Sequence, residues 1–232
     1  MASDKWLTFD CYGTIADWNT CMRAALDPVA GPRADAVLRA YHQAELILEA
    51  GPWRPYRDVL TTGLQVAAPQ AGITLPETDA SAFVRAWPRM TIFEDAAPAL
   101  KALAADGWRL AILTNCDDDL FATTAPNLPV PFDMVVTAEQ IRSYKPDLQH
   151  FRTFSERTGA TADNWIHVAN SWVHDILPAA RLGLRSVWVD RDLTGHPAKV
   201  ADRRITSMRR LADTVADVNA LPLPVRSYFR VL

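Results

Sequence analysis

The stretch Leu7-Thr-Phe-Asp10-Cys-Tyr-Gly-Thr14-Ile-Ala-Asp-Trp-Asn19 runs a short apolar segment into an aspartate and a glycine turn. A carboxylate is costly to take out of water unless something pairs with it, so Asp10 at the end of a buried-looking strand has two readings. It caps the turn that follows, which is ordinary chemistry for aspartate before a Gly-containing turn, or it reacts with a substrate. The rest of the chain has to choose between them.

Leu7-Thr-Phe-Asp10 fits a buried strand of a parallel sheet. The next strand comes late. From about Asp17 to Met90 the chain reads as helical, with segments such as Ala34–Ala50 and Arg57–Gly72 separated by the Gly31-Pro32 and Gly51-Pro52 steps. After Phe93 the grammar changes to alternating helix and strand. A helix over Ala97–Gly107 is stopped by glycine, and WRLAILTN (108–115), FDMVVTA (132–138), WIHVANS (165–171) and RSVWVDR (185–191) read as strands. Helices over 147–159 and 174–183 lie between them. The expected fold is α/β: a Rossmann-like parallel sheet flanked by helices, with a helical cap inserted after the first strand. The expected division is residues 1–16 and 91–232 for the core and 17–90 for the cap. The Pro-interrupted tail from Leu221 is expected to pack along the surface or against a second subunit.

The 232 residues, 49% of them hydrophobic, suffice for a full core, and the formal charge of −3 shows no basic excess. Nucleic-acid binding is therefore not expected, and the partners are small molecules or proteins. No run approaches the apolar length that spans a bilayer, and the N-terminus lacks an export pattern, so a cytoplasmic protein with no membrane contact is expected. Cys11, Cys21 and Cys116 form no CxxC or zinc-ligand spacing and read as free thiols.

Ligands of open α/β sheets bind beyond the carboxyl ends of the strands. Asp10, Thr114 with Asn115, and Asn170 with Ser171 all fall at such ends, and Lys145 lies in the loop after FDMVVTA. Turn chemistry explains any one of these positions far better than it explains all four.

FDCYGT, LTN, YKP and VANSWVHD, in this order and with a helical insertion after the first, resemble the four motifs of the haloacid dehalogenase superfamily, over nearly the whole chain. The resemblance implies Asp10 as nucleophile, a role suited to a group that is ionised at neutral pH without help. Phosphatases of the superfamily carry a second aspartate two residues on, as acid and magnesium ligand. Tyr12 stands there instead, a poor ligand for magnesium and an acid weaker by roughly six pKa units. Asn170 likewise replaces an acid of the last motif. Halide is a leaving group that needs neither metal nor protonation, and Phe-Asp-x-Tyr-Gly-Thr resembles the signature of the L-2-haloacid dehalogenase group.

By that resemblance, Asp10 attacks the halogen-bearing carbon of a small 2-halocarboxylate and water hydrolyses the resulting ester, with no cofactor and no metal. Thr14 holds the nucleophile, Lys145 orients it and offsets its charge, and Asp175 positions the water with Asn170 as its hydrogen-bonding partner. Thr114 and Asn115 meet the substrate carboxylate or departing halide. Tyr12, His42 and Trp172 complete the expected substrate contacts, and a homodimer is implied.

Three positions depart from the group: His42 falls where its cap carries an arginine, Phe151 where it has a tyrosine, and Trp172 where it has an asparagine. His42 reads as a weaker anion contact or as a helix-surface residue. Arg54 and Arg57 read as replacement cations or as solvated side chains, and Trp53 as apolar wall or packing. His174 reads as a cap or surface residue, with proton transfer the alternative. The alternatives for function are hydrolysis of a strained C–N bond, as in azetidine-2-carboxylate hydrolases of the same group, with a proton from His42 or His174; a residual magnesium phosphatase; and a non-catalytic binding protein.

Overall fold

In the computed structural model, which describes residues 4–223, Asp10 directly follows strand β1 (Trp6–Phe9), and all four residues of that strand are buried. Helices α1 (Trp18–Ala30), α2 (Ala34–Glu49), α3 (Tyr56–Gln70) and α4 (Ala82–Ala86) follow before the chain returns through α5 (Ala96–Ala105) to β2 (Arg109–Thr114). Then come α6 (Asp118–Thr124), β3 (Met134–Thr137), α7 (Ala138–Ile141), α8 (Gln149–Thr158), β4 (Trp165–Ala169), α9 (Leu177–Arg181), β5 (Arg185–Val189), β6 (Arg203–Ile205) and α10 (Leu211–Asn219).

The six strands pair in parallel in the order β3-β2-β1-β4-β5-β6. Chain order runs outward from β1 to β3 on one side and from β4 to β6 on the other. The crevice where the direction reverses therefore opens beside β1, where ligands bind in such sheets. Alternation along β1 sends Leu7 and Phe9 into one apolar layer with Leu100, Val168 and Val215, and Trp6 into the opposite layer with Leu113, Phe154 and Trp165. Each such fully buried large side chain contributes about 1.5–3 kcal/mol.

The helices α6, α7 and α10 escaped the sequence reading, as did two features of the strand and helix pattern. β6 is only three residues long, two of them exposed, so it carries no apolar run to betray it. The helix expected over 174–183 is two pieces, a π-helical turn over Trp172–Ile176 followed by α9 with Pro178 in its first turn. Proline fits there because its missing N–H is one that a first turn leaves unpaired anyway. The tail from Pro224 onward lies outside the described residues.

The insertion builds its own apolar layer from Trp18, Met22, Tyr41, Leu60, Phe83 and Trp87, continuous with Ile112 and Leu120 of the sheet side. Helices α2 and α3 pack closely because α3 has glycine at 63. A Cβ there would come within 2.7 Å of the Tyr41 ring. The first turn of α3 is held from outside the insertion, since Asp117 accepts hydrogen bonds from the backbone N–H of Tyr56 (2.6 Å) and Arg57 (3.0 Å) and from Arg57 Nε (3.2 Å). This side-chain cap satisfies two orphan donors and clamps the insertion to the β2 end. Asp117→Ala is expected to lower stability by about 1–2 kcal/mol in urea unfolding, at the upper end of helix-cap losses because Asp117 is buried.

Candidate active site

At the end of β1 the chain turns through Gly13, whose φ of +85° is open to glycine at little cost. The turn brings Thr14 back onto Asp10. The Thr14 hydroxyl donates to Asp10 Oδ2 at 2.9 Å and accepts from Asn170 N at 2.8 Å, tying the ends of β1 and β4 together. Lys145, only 1% exposed, reaches from beyond α7 and donates to Asp10 Oδ1 (2.9 Å), Asp175 Oδ1 (2.7 Å) and the Leu113 carbonyl (2.8 Å). Its three protons thus meet three acceptors.

Charges in this cluster are mutually dependent. Burial pushes Asp10 up from the ordinary carboxylate value, against the pull of Lys145 and with a further push from Asp175. Burial works the same way on Asp175, but Lys145 and His167 overcome it and hold that carboxyl down at about 2. Burial opposes the Lys145 charge, and the two aspartates outweigh it, so the ammonium is held above its ordinary value. Asp175 Oδ2 makes no hydrogen bond to the described residues and lies on the same cavity as Asp10.

The cavity above Asp10 has a volume of about 320 Å³. It is lined by Asp10, Tyr12, Thr114, Asn115, Lys145, Asn170, Trp172 and Asp175, and from the insertion by His42. All of these expected residues except the fully enclosed Thr14 therefore face one space. Their detailed contacts differ from expectation in several places. Thr114 Oγ1 is buried and, apart from the Cys116 sulfur beside it, to which its hydroxyl can donate, has no partner among the described residues. Asn115 is used by the protein itself: its amide donates to Glu49 Oε1 (3.1 Å) and the Lys145 carbonyl (3.0 Å) and accepts from Lys145 N (2.8 Å). The Tyr12 hydroxyl bonds to Thr124 Oγ1 at 3.1 Å, leaving its ring to the cavity. Trp172 stacks on His196 at 5.2 Å between centroids.

Asn170 does not partner Asp175 as expected. Its amide donates to Asp192 (3.1 Å) and accepts from Arg191 N (3.2 Å), because the loop after β5 lies closer to it than the π-turn that carries Asp175. His167 takes that place. Trp165 Nε1, which can only donate, gives its proton to Thr8 Oγ1 at 2.7 Å; Thr8 Oγ1 lies 2.8 Å from His167 Nδ1; and His167 Nε2 lies 2.9 Å from Asp175 Oδ1. Donor counting assigns Thr8 O–H to Nδ1 and the ring proton to Nε2, so a chain of three buried hydrogen bonds ends on Asp175.

Arg54, Arg57 and Trp53 are not on the cavity. Arg57 pairs with Asp117 and Asp119, and Trp53 stacks on Tyr144. In their place α2 brings His42, Glu45 and Glu49, whose spacing of three and four residues puts them on one helix face. Glu45 Oε1 accepts from the hydroxyls of Tyr56 (2.6 Å) and Tyr41 (3.2 Å), and His42 Nδ1 lies 3.6 Å from its other oxygen. Burial raises Glu45, but His42 and Tyr56 prevail and keep it below the ordinary range. Glu49 faces His174 at 3.0 Å. Burial lowers the imidazole's affinity for its proton, but Glu49 reverses that and raises it to about 9, so the ring is charged at neutral pH. Burial pushes Glu49 itself up, only partly offset by His174 and Asn115. His174 is thus neither a surface residue nor a cap; Ser171 is the cap, accepting from His174 N.

A model of the haloacid dehalogenase-like hydrolase family matches residues 5–183. The chain belongs to this family. The haloacid dehalogenase-like hydrolase is 24% identical over 200 residues to an (S)-2-haloacid dehalogenase of Pseudomonas putida, covering 82% of this chain and 86% of that one. It is 27% identical over 192 residues to (S)-2-haloacid dehalogenase 1 of Pseudomonas sp. strain CBS-3, covering 79% and 83%. Its fold matches the solved L-2-haloacid dehalogenase of Xanthobacter autotrophicus with chloropropionic acid covalently bound, with a TM-score of 0.76, 20% identity and coverage of 92% and 98%.

Sequence reading of this hydrolase passed over Glu45, Glu49, His167 and Asp192. The first two had a signal, since His42, Glu45 and Glu49 share one helical stripe with the expected substrate contact. His167 had none, because a histidine inside a parallel strand reads as core until its neighbours are known. His167→Leu is expected to cost about 2–4 kcal/mol in stability, since Thr8 and Asp175 each lose a buried partner. His167→Gln, which can still donate to Asp175, is expected to recover part of it in the same unfolding measurement.

Proposed function

We propose that this hydrolase is a metal-independent 2-haloacid dehalogenase that acts through an aspartyl ester on Asp10, with residues 17–90 serving as the cap over the site. The observation that carries the reading is Lys145 lying between Asp10 and Asp175 at the cavity floor, 2.9 and 2.7 Å from their oxygens. A fixed ammonium there supplies the charge compensation that a divalent cation supplies elsewhere, and it leaves Asp10 anionic and oriented. The tyrosine two residues on adds no second acid beside the nucleophile. A leaving group that departs as a stable anion suits this arrangement, and relatives bearing the (S)-2-haloacid dehalogenase name over most of the chain support it.

In the proposed reaction an oxygen of Asp10 attacks the halogen-bearing carbon from the face opposite the halogen. The halide leaves with the bonding electrons and an ester forms. Thr14 and Lys145 keep the carboxylate in place during attack. Water, held at the unpartnered Oδ2 of Asp175, then attacks the Asp10 carbonyl carbon, releasing a 2-hydroxy acid and a proton and restoring the carboxylate. With its pKa near 2, Asp175 works by orienting the water more than by removing its proton.

Halide release from chloroacetate and both 2-chloropropionate enantiomers in excess EDTA tests the reading. Release that survives chelation and favours the (S) enantiomer is expected. Activity only with magnesium and a phosphate ester would replace it with the phosphatase reading. Ring opening of azetidine-2-carboxylate without halide release would make nitrogen the leaving group. A homodimer in the cytoplasm belongs to the same reading, and light scattering of the purified chain reports the assembly.

A further inference from the structure

We infer that the cavity takes a small substrate that carries an ammonium group beside its carboxylate, and that Glu45 is the residue that recognises the ammonium. The identity of the reacting carbon rests on the dehalogenase reading; the ammonium subsite does not.

Among the described residues, five carboxylates line the cavity, those of Asp10, Glu45, Glu49, Asp175 and Asp192, and no arginine does. The cations present are already engaged. All three protons of Lys145 are taken by Asp10, Asp175 and a carbonyl, and His174 faces Glu49 at 3.0 Å. A substrate bearing only a carboxylate would enter a space with excess negative charge, and like charges brought together in a partly buried site repel strongly.

Glu45 has the geometry of a binding group. The Tyr41 and Tyr56 hydroxyls fix one carboxylate oxygen, while the other has only His42, at 3.6 Å, and shares the cavity with Asp10. Aromatic rings of Tyr12, Trp18, Tyr56 and Trp172 line the same space. Aromatic faces together with a fixed carboxylate are the surroundings that hold an ammonium ion. At the floor Thr114, whose buried hydroxyl has only the weakly accepting Cys116 sulfur beside it among the described residues, lines the same cavity. A donor on the sheet side and an anionic acceptor on the helix side match a zwitterion: its carboxylate meets Thr114 and its ammonium meets Glu45.

Two pairs of ligands of matched size test this. 3-Amino-2-chloropropanoate and 2-chlorobutanoate differ only by ammonium against methyl, and 3-aminopropanoate and butanoate are their halogen-free counterparts. In the wild-type protein the amino chloroacid is expected to exceed its isostere at least about tenfold in kcat/KM for halide release, and 3-aminopropanoate to bind at least about tenfold tighter than butanoate by calorimetry. A tenfold preference is the size of one well-placed charged contact. Glu45→Gln, which still accepts from the tyrosine hydroxyls, is expected to bring both ratios close to one.

Equal or tighter binding of butanoate by the wild type overturns the inference, and so does a preference that persists unchanged in Glu45→Gln. The wild-type comparison needs no variant and stands even where the substitution unfolds the chain. If neither chloroacid releases halide while 3-aminopropanoate is still preferred, the dehalogenase reading fails and the ammonium subsite holds. If 2-chlorobutanoate is the better substrate and butanoate the better ligand, the dehalogenase reading holds and the subsite fails.

Discussion

Asp10→Asn is expected to lower kcat for halide release from 2-chloropropionate by roughly four orders of magnitude or more, with KM little changed. The neutral amide keeps the size of the side chain and accepts from Lys145 or Thr14, so the cavity and the fold survive. What disappears is the nucleophilic oxygen. In the wild type, single-turnover quenching followed by mass spectrometry is expected to find the acid esterified on the peptide carrying Asp10, and no adduct in the variant. A residual rate within tenfold of wild type would remove Asp10 from the chemistry. The acid limb of kcat/KM follows from the same group. Attack needs the carboxylate, and burial raises the Asp10 pKa above its ordinary 3.8. Activity is therefore present above the raised value and is lost as pH falls through it, with the limb centred higher than for a free aspartate.

Lys145→Met is expected to cost about 3–5 kcal/mol of unfolding free energy as well as nearly all activity. Removing the ammonium leaves Asp10 and Asp175 facing each other in a buried site with no compensating charge, and an uncompensated buried charge is far more costly than the intact pair is stabilising. Adding Asp175→Asn to Lys145→Met is expected to restore part of the stability and none of the activity. Urea unfolding of the two single variants and the double variant measures the coupling, and strictly additive losses would refute it. The pH dependence has a definite sign. The folded-state pKa of Asp175, about 2, lies below its ordinary 3.8, so its ionised form contributes stability that is fully present above about pH 4 and lost as pH falls toward 2. In Lys145→Met that dependence is expected to reverse. Burial of Asp10 is then offset by no ammonium and Asp175 keeps only its His167 contact, so stability is highest in mild acid and declines as pH rises.

The resemblance and the strand-end logic together placed Asp10, Thr114, Asn115, Lys145, Asn170 and Asp175 on one edge, and they line or reach one cavity. Their roles were harder to read than their positions. Asn115 has the right chemistry for an exposed donor, yet its three hydrogen bonds go to Glu49 and Lys145. Asn170 was a plausible partner for Asp175 by closeness in sequence. Register decides otherwise: Thr8 lies beside His167 in the β1–β4 pair, so the strand residue eight positions before Asp175 meets it and the nearer asparagine does not.

Of the three departures, His42 and Trp172 line the cavity, whereas Phe151 is buried against Trp165 and His167. They did not reveal what replaces the missing arginine. That depends on which face of α2 meets the sheet edge, and Gly63, by letting Tyr41 pack against α3, helps set that face so that Glu45 and Glu49 point into the site. Among the described residues, no arginine or lysine of the insertion lines the cavity. Neither Arg54 nor Arg57, adjacent in sequence to the right region, lines the cavity, and Asp117 and Asp119 hold Arg57 at the start of α3.

Sequence by itself determined the parallel α/β core, the helical insertion after the first strand and the place of Asp10 at the end of that strand, because each is written locally: an apolar run, an Asp-x-Tyr-Gly-Thr turn, a strand-end polar pair. Tertiary structure alone decided the partners of those groups. The His167 chain to Asp175, the Lys145 bridge between two aspartates and the acidic wall from α2 join residues far apart in the chain, up to 159 positions for Thr8 and His167. The physical reason is that a hydrogen bond or an ion pair is set by distances of about 3 Å between atoms, and local pattern carries no information about which distant strand or helix supplies the second atom.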